Sequence, residues 1–110
     1  MSEIEKMYKN AGIKKVRQTS IAGGDYPIVV GFEDYPPFTA EKQLGLIKLL
    51  TQQCDLIISH FEKWEFIHFD GQESIQMTGK DFTETFAKLI NAYWENLTDK
   101  EKQQIREILK

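Results

Sequence analysis

The side chains of this 110-residue chain that could bind a metal ion lie in one short stretch. Cys54, His60 and His68 are the soft ligands, and Asp55 and Asp70 lie near them in the sequence. Structural zinc sites bring ligands in close pairs, such as cysteines with roughly two to four residues between them. Here five residues separate Cys54 from His60 and seven separate His60 from His68. A fourth soft ligand is missing, so we expect no metal site and no cofactor.

Nucleophilic catalysis is not indicated either. Ser59 is followed directly by His60. Neighbouring residues on a strand or helix point in different directions, whereas an attacking hydroxyl needs its base within hydrogen-bonding distance. The pair Gly23–Gly24 is not followed by the lysine and hydroxyl residue of a phosphate-binding loop. We therefore expect a protein that is not an enzyme and that acts by binding.

Size and composition predict a single domain, residues 1–110, with its own core. The chain is 41% hydrophobic and 28% charged, which is ordinary for a globular protein. Its single cysteine, Cys54, excludes an internal disulfide and fits a reducing compartment. The N-terminus lacks the apolar stretch of a signal peptide, and no apolar run is long enough to cross a membrane. We expect a soluble cytoplasmic protein with no membrane partner.

Four helices are predicted from the spacing of apolar residues, at 3–10, 40–53, 82–97 and from 99 to the C-terminus. Gly12 suits the position just after the first helix, because glycine adopts the left-handed conformation without strain. Thr39 is the expected N-cap of the second helix, whose inward face begins with Leu44. Thr98 and Glu101 form a capping box at the start of the last helix.

Strands are predicted between the second and third helices. Residues 64–69 are rich in aromatic and β-branched side chains, and residues 74–78 follow after a turn that contains Asp70 and Gly71, which together indicate a β-hairpin. Residues 54–61 fit either a strand or a continuation of the second helix. Residues 19–38 are predicted to be a long loop with one short edge strand at Ile28–Val30. The fold class is α+β, with about four helices packed on a small antiparallel hairpin or sheet.

Charge is segregated along the sequence. Residues 21–39 carry three acids and no base, and residues 56–78 carry four acids and one base. An acidic loop beside an acidic hairpin predicts a negative surface for a basic partner, such as the nucleic-acid groove of another protein. The candidate contact residues for such a protein partner are Asp25, Tyr26, Phe32, Glu33, Asp34, Tyr35, Glu62, Glu65, Asp70 and Glu73.

The N-terminal segment supports an alternative. Residues 1–20 carry five bases and two acids. Clustered bases neutralise phosphates, so this segment could bind nucleic acid. The candidate phosphate-binding residues are Lys6, Lys9, Lys14, Lys15 and Arg17. The net charge of −3 argues against a protein that coats nucleic acid over its whole surface.

Two segments resemble small proteins of bacteriophages and prophages from Gram-positive bacteria: YPPFTAEKQL, residues 35–44, and WENLTDKEKQQI, residues 94–105. The opening residues 4–12 are similar to the start of the same proteins. The resemblance implies a phage accessory protein in the bacterial cytoplasm, and it carries no catalytic residue with it. Under the resemblance, the nucleic-acid alternative becomes a nucleic-acid-associated protein of a phage replication or regulation module. Our hypothesis is a non-enzymatic inhibitor of a host defence or nucleic-acid-handling protein, of which an anti-CRISPR role is one form. The expected partners are a host or phage protein and, through the apolar faces, a second copy of the chain.

Overall fold

A computed structural model describes residues 2–23, 25, 28–52, 54–69 and 73–110. Within these residues the fold is α+β, with four α-helices, a two-stranded antiparallel sheet and a three-stranded antiparallel sheet. In chain order the elements are α1 (Glu3–Asn10), β1 (Val16–Ala22), β2 (Ile28–Asp34), α2 (Ala40–Leu50), β3 (Asp55–Phe61), β4 (Lys63–Phe69), β5 (Ser74–Gly79), α3 (Phe82–Tyr93), a 3-10 turn (Trp94–Asn96) and α4 (Asp99–Leu109).

The helix ends confirm the predicted caps. The Thr39 hydroxyl accepts a hydrogen bond from the Lys42 backbone N–H at 3.3 Å, and α2 starts at the next residue. Thr98 and Glu101 form the reciprocal capping box of α4. Gly12 has φ 73°, the left-handed conformation expected just beyond α1. Helix α2 ends at Leu50 rather than near residue 53.

The core lies between the helices and one face of the three-stranded sheet. Phe66 on β4 and Phe86 on α3 are both fully buried, and their rings stack with centroids 5.6 Å apart. Helix α1 also packs on α3, and it buries Met7 and Tyr8. Helix α2 buries Leu46 and Leu50, and helix α4 buries Ile105 and Leu109. Leu44, predicted to face inward, is 59% exposed, because the buried stripe of α2 is rotated towards Leu46.

The long loop predicted at residues 19–38 is mostly wrong, although the short strand expected at Ile28–Val30 is the beginning of β2. Residues 16–22 and 28–34 form an antiparallel hairpin, with Val16 opposite Asp34 and Ala22 opposite Ile28. We refer to this hairpin, β1 and β2, as the arm. Its described side chains at residues 16–19 and 31–34 are exposed on both faces, apart from the half-buried Gln18. A strand that buries neither face has no alternation of apolar and polar residues, so the usual sequence signal is absent.

The predicted hairpin of residues 64–78 is confirmed and extended by a third strand. Strand β4 is central, with β3 and β5 on either side. Residues 54–61, left open between helix and strand, are therefore mainly strand. Trp64, Phe66 and His68 alternate along β4 and share the face that packs on the core. The turn that contains Asp70 and Gly71 lies outside the described residues.

Candidate functional site

The candidate contacts of the predicted acidic loop fall on the arm. Phe32, Glu33 and Asp34 are exposed on β2, with Phe32 at 42% exposure. Asp25 is exposed between the strands, whereas Tyr26 lies outside the described residues. Asp34 accepts a hydrogen bond from the backbone N–H of Tyr35 at 2.8 Å, which orders the end of β2.

The arm brings acidic and basic candidates together. Arg17 on β1 is directly opposite Glu33 on β2. Its guanidinium lies over Gly31, close enough that a side-chain carbon added there would be 3.2 Å from a guanidinium nitrogen. The charge segregation along the sequence is therefore not preserved in space, because strand pairing places the basic segment beside the acidic one. The other basic candidates are exposed side chains: Lys6, Lys9, Lys14 and Lys15.

Tyr35 differs from its acidic neighbours because it belongs to the core. It is 9% exposed, and its ring stacks on that of Tyr8 with centroids 5.3 Å apart. The Lys15 ammonium lies 5.5 Å from the centre of the Tyr35 ring. The Gln18 side chain donates a hydrogen bond to the Tyr35 carbonyl at 3.1 Å. Tyr35 thus joins the arm to the helices and has little surface left for a partner.

The acidic candidates of the second region lie on the three-stranded sheet. Glu62 has φ 66° in the turn between β3 and β4, beside Phe61, which is 86% exposed. Glu65 points to the outer face of the sheet, where it accepts a hydrogen bond from the Gln76 side chain at 2.6 Å. Glu73 is exposed just before β5, and Asp70 lies outside the described residues. The two acidic regions belong to separate sheets.

The outer face of the three-stranded sheet carries exposed apolar side chains. Ile57 on β3 is 55% exposed and is directly opposite Ile67 on β4. Phe69 is 40% exposed on the same face. Strand β3 is an edge strand, and it contains no proline or lysine to prevent pairing with another strand. We call this surface, Ile57, Phe61, Glu65, Ile67 and Phe69 with the β3 edge, the open sheet face.

A cavity of about 570 Å³ lies where the ends of α2, β4 and α3 meet the start of α4. His68 lines it and is 5% exposed, with Nε2 3.0 Å from the Leu50 carbonyl oxygen. The edge of the Tyr93 ring packs against the His68 ring at 4.5 Å. Cys54 and Glu73 also line this cavity. Sequence reasoning missed it, because its walls come from residues that are far apart in the chain.

Of the metal-ligand candidates, Cys54 and His68 line the cavity, whereas His60 is not among its lining residues. His60 is exposed on β3, and its ring lies against that of Trp64 with centroids 4.5 Å apart. His68 lies on the same face of the sheet as Trp64, but it is buried and lines the cavity. Among the described residues, no group of three or more histidine, cysteine or acidic side chains is arranged to hold a metal ion. Ser59 and His60 are adjacent strand residues on opposite faces of the sheet.

The shifted pKa values belong to groups that support the fold. Hydrogen bonds from the Thr83 hydroxyl and the Glu84 backbone N–H hold the pKa of Asp81, the N-cap of α3, below its usual value. Burial lowers the pKa of Lys42, whose ammonium donates to the Leu109 carbonyl at 3.0 Å. Burial also raises the pKa of Tyr8 to about 12.

Neither a protein-family model, nor a curated protein, nor a solved structure matches this chain significantly. None of the helices in the described part of the chain has the length and apolarity needed to span a bilayer. The open sheet face and the cavity are therefore the features from which function can be argued.

Proposed function

We propose that the protein is a non-enzymatic binding protein whose open sheet face pairs with an extended, basic segment of another protein. The observation that carries this proposal is the exposure of apolar residues along an edge strand that contains no proline or lysine. An exposed apolar edge strand is a template for strand addition, in which backbone hydrogen bonds give affinity and alternate side chains give specificity.

The charge of the β3–β4 hairpin favours a basic partner. Residues 55–69 carry three acids, Asp55, Glu62 and Glu65, and one base, Lys63. Two copies of this hairpin would bring like charges together, whereas a lysine- or arginine-rich strand would complement them. Apolar side chains at alternate positions of that strand would cover Ile57 and Ile67, which are otherwise exposed or half-buried.

The biological setting of the proposal rests on the resemblance of residues 35–44 and 94–105 to phage and prophage proteins. We propose a phage or prophage accessory protein in the bacterial cytoplasm that inhibits a host defence or nucleic-acid-handling protein. An anti-CRISPR role is one form of this proposal. Proteins that handle nucleic acids present basic surfaces, which agrees with the charge expected of the partner.

Site-specific cross-linking tests the proposal. A photo-crosslinking amino acid replaces Ile57 on the open sheet face or, as a matched control, Leu44 on α2, since the two aliphatic side chains are 55% and 59% exposed. Each protein is expressed in bacterial host cells, irradiated, and analysed by mass spectrometry. We expect position 57, and not position 44, to cross-link one host protein through a segment rich in lysine or arginine.

Charge variants complete the test. Ile57→Lys should lower recovery of that partner at least about tenfold, because it adds a like charge at the contact, and Leu44→Lys should leave recovery unchanged. The partner's own activity, assayed with each variant, should be inhibited by the wild type and by Leu44→Lys. Equal cross-linking from positions 44 and 57 would count against the open sheet face. If position 57 cross-linked only to a second copy of the chain, that second copy would be the occupant of the open sheet face.

The nucleic-acid alternative has less support. The exposed bases Lys14, Lys15 and Arg17 lie near Glu33 and Asp34 at the base of the arm, so phosphates would meet carboxylates there. Retention on DNA or RNA that falls steeply with salt would favour this alternative, and the binding-protein proposal predicts none.

A further inference from the structure

The 570 Å³ cavity at the end of the three-stranded sheet has the size of a small-molecule site. Pockets that bind small ligands span about 300–1,000 Å³ and combine apolar walls with a few polar groups. Here the apolar wall residues are Leu49, Leu50, Ile75 and Leu97. They come from α2, β5 and the segment before α4, so three parts of the fold must be in place before the cavity exists.

His68 supplies a hydrogen-bond acceptor at this cavity. Its Nε2 lies 3.0 Å from the Leu50 carbonyl oxygen, and a carbonyl can only accept, so Nε2 must carry the hydrogen. In the neutral ring Nδ1 is then an acceptor. This nitrogen is buried and has no hydrogen-bond partner among the described residues. A buried acceptor without a donor is costly. Nδ1 has almost no accessible surface, so a ligand in the adjoining cavity supplies the missing donor by displacing the atoms that cover this nitrogen.

The surroundings decide which class of ligand fits. Two of the first backbone N–H groups of α4, those of Thr98 and Glu101, already donate to the side chains of the capping box, which leaves fewer donors for an anion. The carboxylate and ammonium side chains that line the cavity are those of Glu73, Glu101 and Lys100, an excess of one acid, which also disfavours anions. The leucine and isoleucine walls disfavour a buried cation, because burying a charge is expensive.

We propose that this cavity binds a small, uncharged aromatic molecule that donates an N–H hydrogen bond to His68 Nδ1. The ring of Tyr93, which meets His68 edge-on at 4.5 Å, supplies an aromatic surface for such a ligand. The site does not depend on the open sheet face, since its lining residues belong to the opposite side of the sheet and to the helices. The cavity proposal therefore stands even if the open sheet face binds no partner.

The probes are indole and 1-methylindole, which share an aromatic body and differ in the N–H donor. Binding to the full chain is measured by calorimetry, and the ¹⁵N resonance of His68 Nδ1 is followed by NMR. We expect saturable binding of indole with a shift of that resonance, and binding of 1-methylindole that is at least about tenfold weaker, the factor that about 1.4 kcal/mol represents.

Two variants locate the site. His68→Phe should keep the ring and abolish the preference for indole over 1-methylindole, whereas His60→Phe, at an exposed histidine on β3, should preserve it. Leu97→Trp should weaken both probes by filling the cavity, and it decides the question if His68→Phe does not fold. Absence of saturable indole binding, equal affinity for the two probes, or an unchanged Nδ1 resonance would overturn the proposal.

Discussion

The arm and the three-stranded sheet are both antiparallel, and their strands are of nearly equal length, yet they are supported differently. Strands β1 and β2 have seven residues each, as do β3 and β4. The three-stranded sheet buries Phe66 and His68 beneath the helices. On the arm, Val16 is 46% and Phe32 is 42% exposed. Similar local hairpins thus coexist with very different amounts of burial.

The difference shows what a hairpin needs in order to be stable. A two-stranded hairpin is marginal in water, whereas a third strand and a packed helix give a sheet an apolar face to bury. The arm joins the body at its base, where Gln18 donates to the Tyr35 carbonyl and Lys15 lies over the Tyr35 ring. The molecule measures 59 × 36 × 23 Å, which is elongated for its size. We therefore expect changes on the arm to affect global stability little.

Phenylalanine truncation gives the largest expected contrast. Phe66→Ala should lower the free energy of unfolding by about 3–5 kcal/mol, because it leaves a cavity beneath Phe86 and Phe82, whose rings lie 5.6 and 5.1 Å from that of Phe66. Phe32→Ala on the arm should change it by less than about 0.5 kcal/mol. Urea denaturation followed by circular dichroism measures both. A loss above about 2 kcal/mol for Phe32→Ala would show that the arm is packed against the body.

Two glycines test the same comparison between the arm and the three-stranded sheet, with smaller expected changes in the free energy of unfolding. A methyl group on Gly79 of β5 would collide with the Thr85 hydroxyl, which is held in place by its hydrogen bond to the Asp81 carbonyl at 2.6 Å. Gly79→Ala should therefore cost about 1–3 kcal/mol of unfolding free energy. On the arm, a methyl group on Gly31 would meet only the mobile end of Arg17.

Gly31→Ala is thus the matched control, and we expect a change within about 0.5 kcal/mol. Thermal and urea unfolding of the two variants give the measurement. Equal losses at the two positions would mean that Arg17 is held as rigidly as Thr85, and the contrast between arm and sheet would then be smaller than the exposures suggest.

The region that packs around the core, the helices with the three-stranded sheet, was also the one predicted from the sequence. The apolar spacing of α3 and the capping box of α4 arise from local contacts between residues three or four apart, so the sequence displays them directly. Strand β4 was predicted because residues 64–69 are rich in aromatic and β-branched side chains. The arm was missed because its strands bury neither face and so lack the alternation of apolar and polar residues that marks a half-buried strand. Leu44 was placed inward because periodicity alone does not say which part of a wide apolar stripe a neighbouring helix covers.

The candidate surfaces were harder to predict than the fold. Glu33 and Arg17 were assigned to rival sites because they lie in segments of opposite charge, and only the register of β1 with β2 reveals that they face each other. The cavity depends on contacts between distant parts of the chain, such as the one between Leu50 and His68. Tyr35 was proposed as a contact because it directly follows the acidic pair Glu33 and Asp34 in the sequence, whereas its ring is stacked on Tyr8.

A smaller effect than those of Phe66→Ala and Gly79→Ala is expected at Tyr8, which lies where the arm meets the body. Tyr8 is fully buried, its ring stacks on Tyr35, and its hydroxyl has no hydrogen-bond partner among the described residues. Tyr8→Phe keeps the stacked rings and removes the unsatisfied hydroxyl. We expect the free energy of unfolding at neutral pH to be unchanged or to rise by up to about 1 kcal/mol.

Alkaline pH separates the variant from the wild type. Burial raises the pKa of Tyr8 to about 12, above the value near 10 that it has in the unfolded chain. The folded state therefore keeps a proton that the unfolded state loses, so this contribution to stability is complete below pH 10 and is lost as the pH rises from 10 through 12. Denaturant titrations between pH 9 and about 11.5 should show a steeper loss for the wild type than for Tyr8→Phe. Parallel losses would mean that water reaches the hydroxyl, and the junction between arm and body would then be open rather than packed.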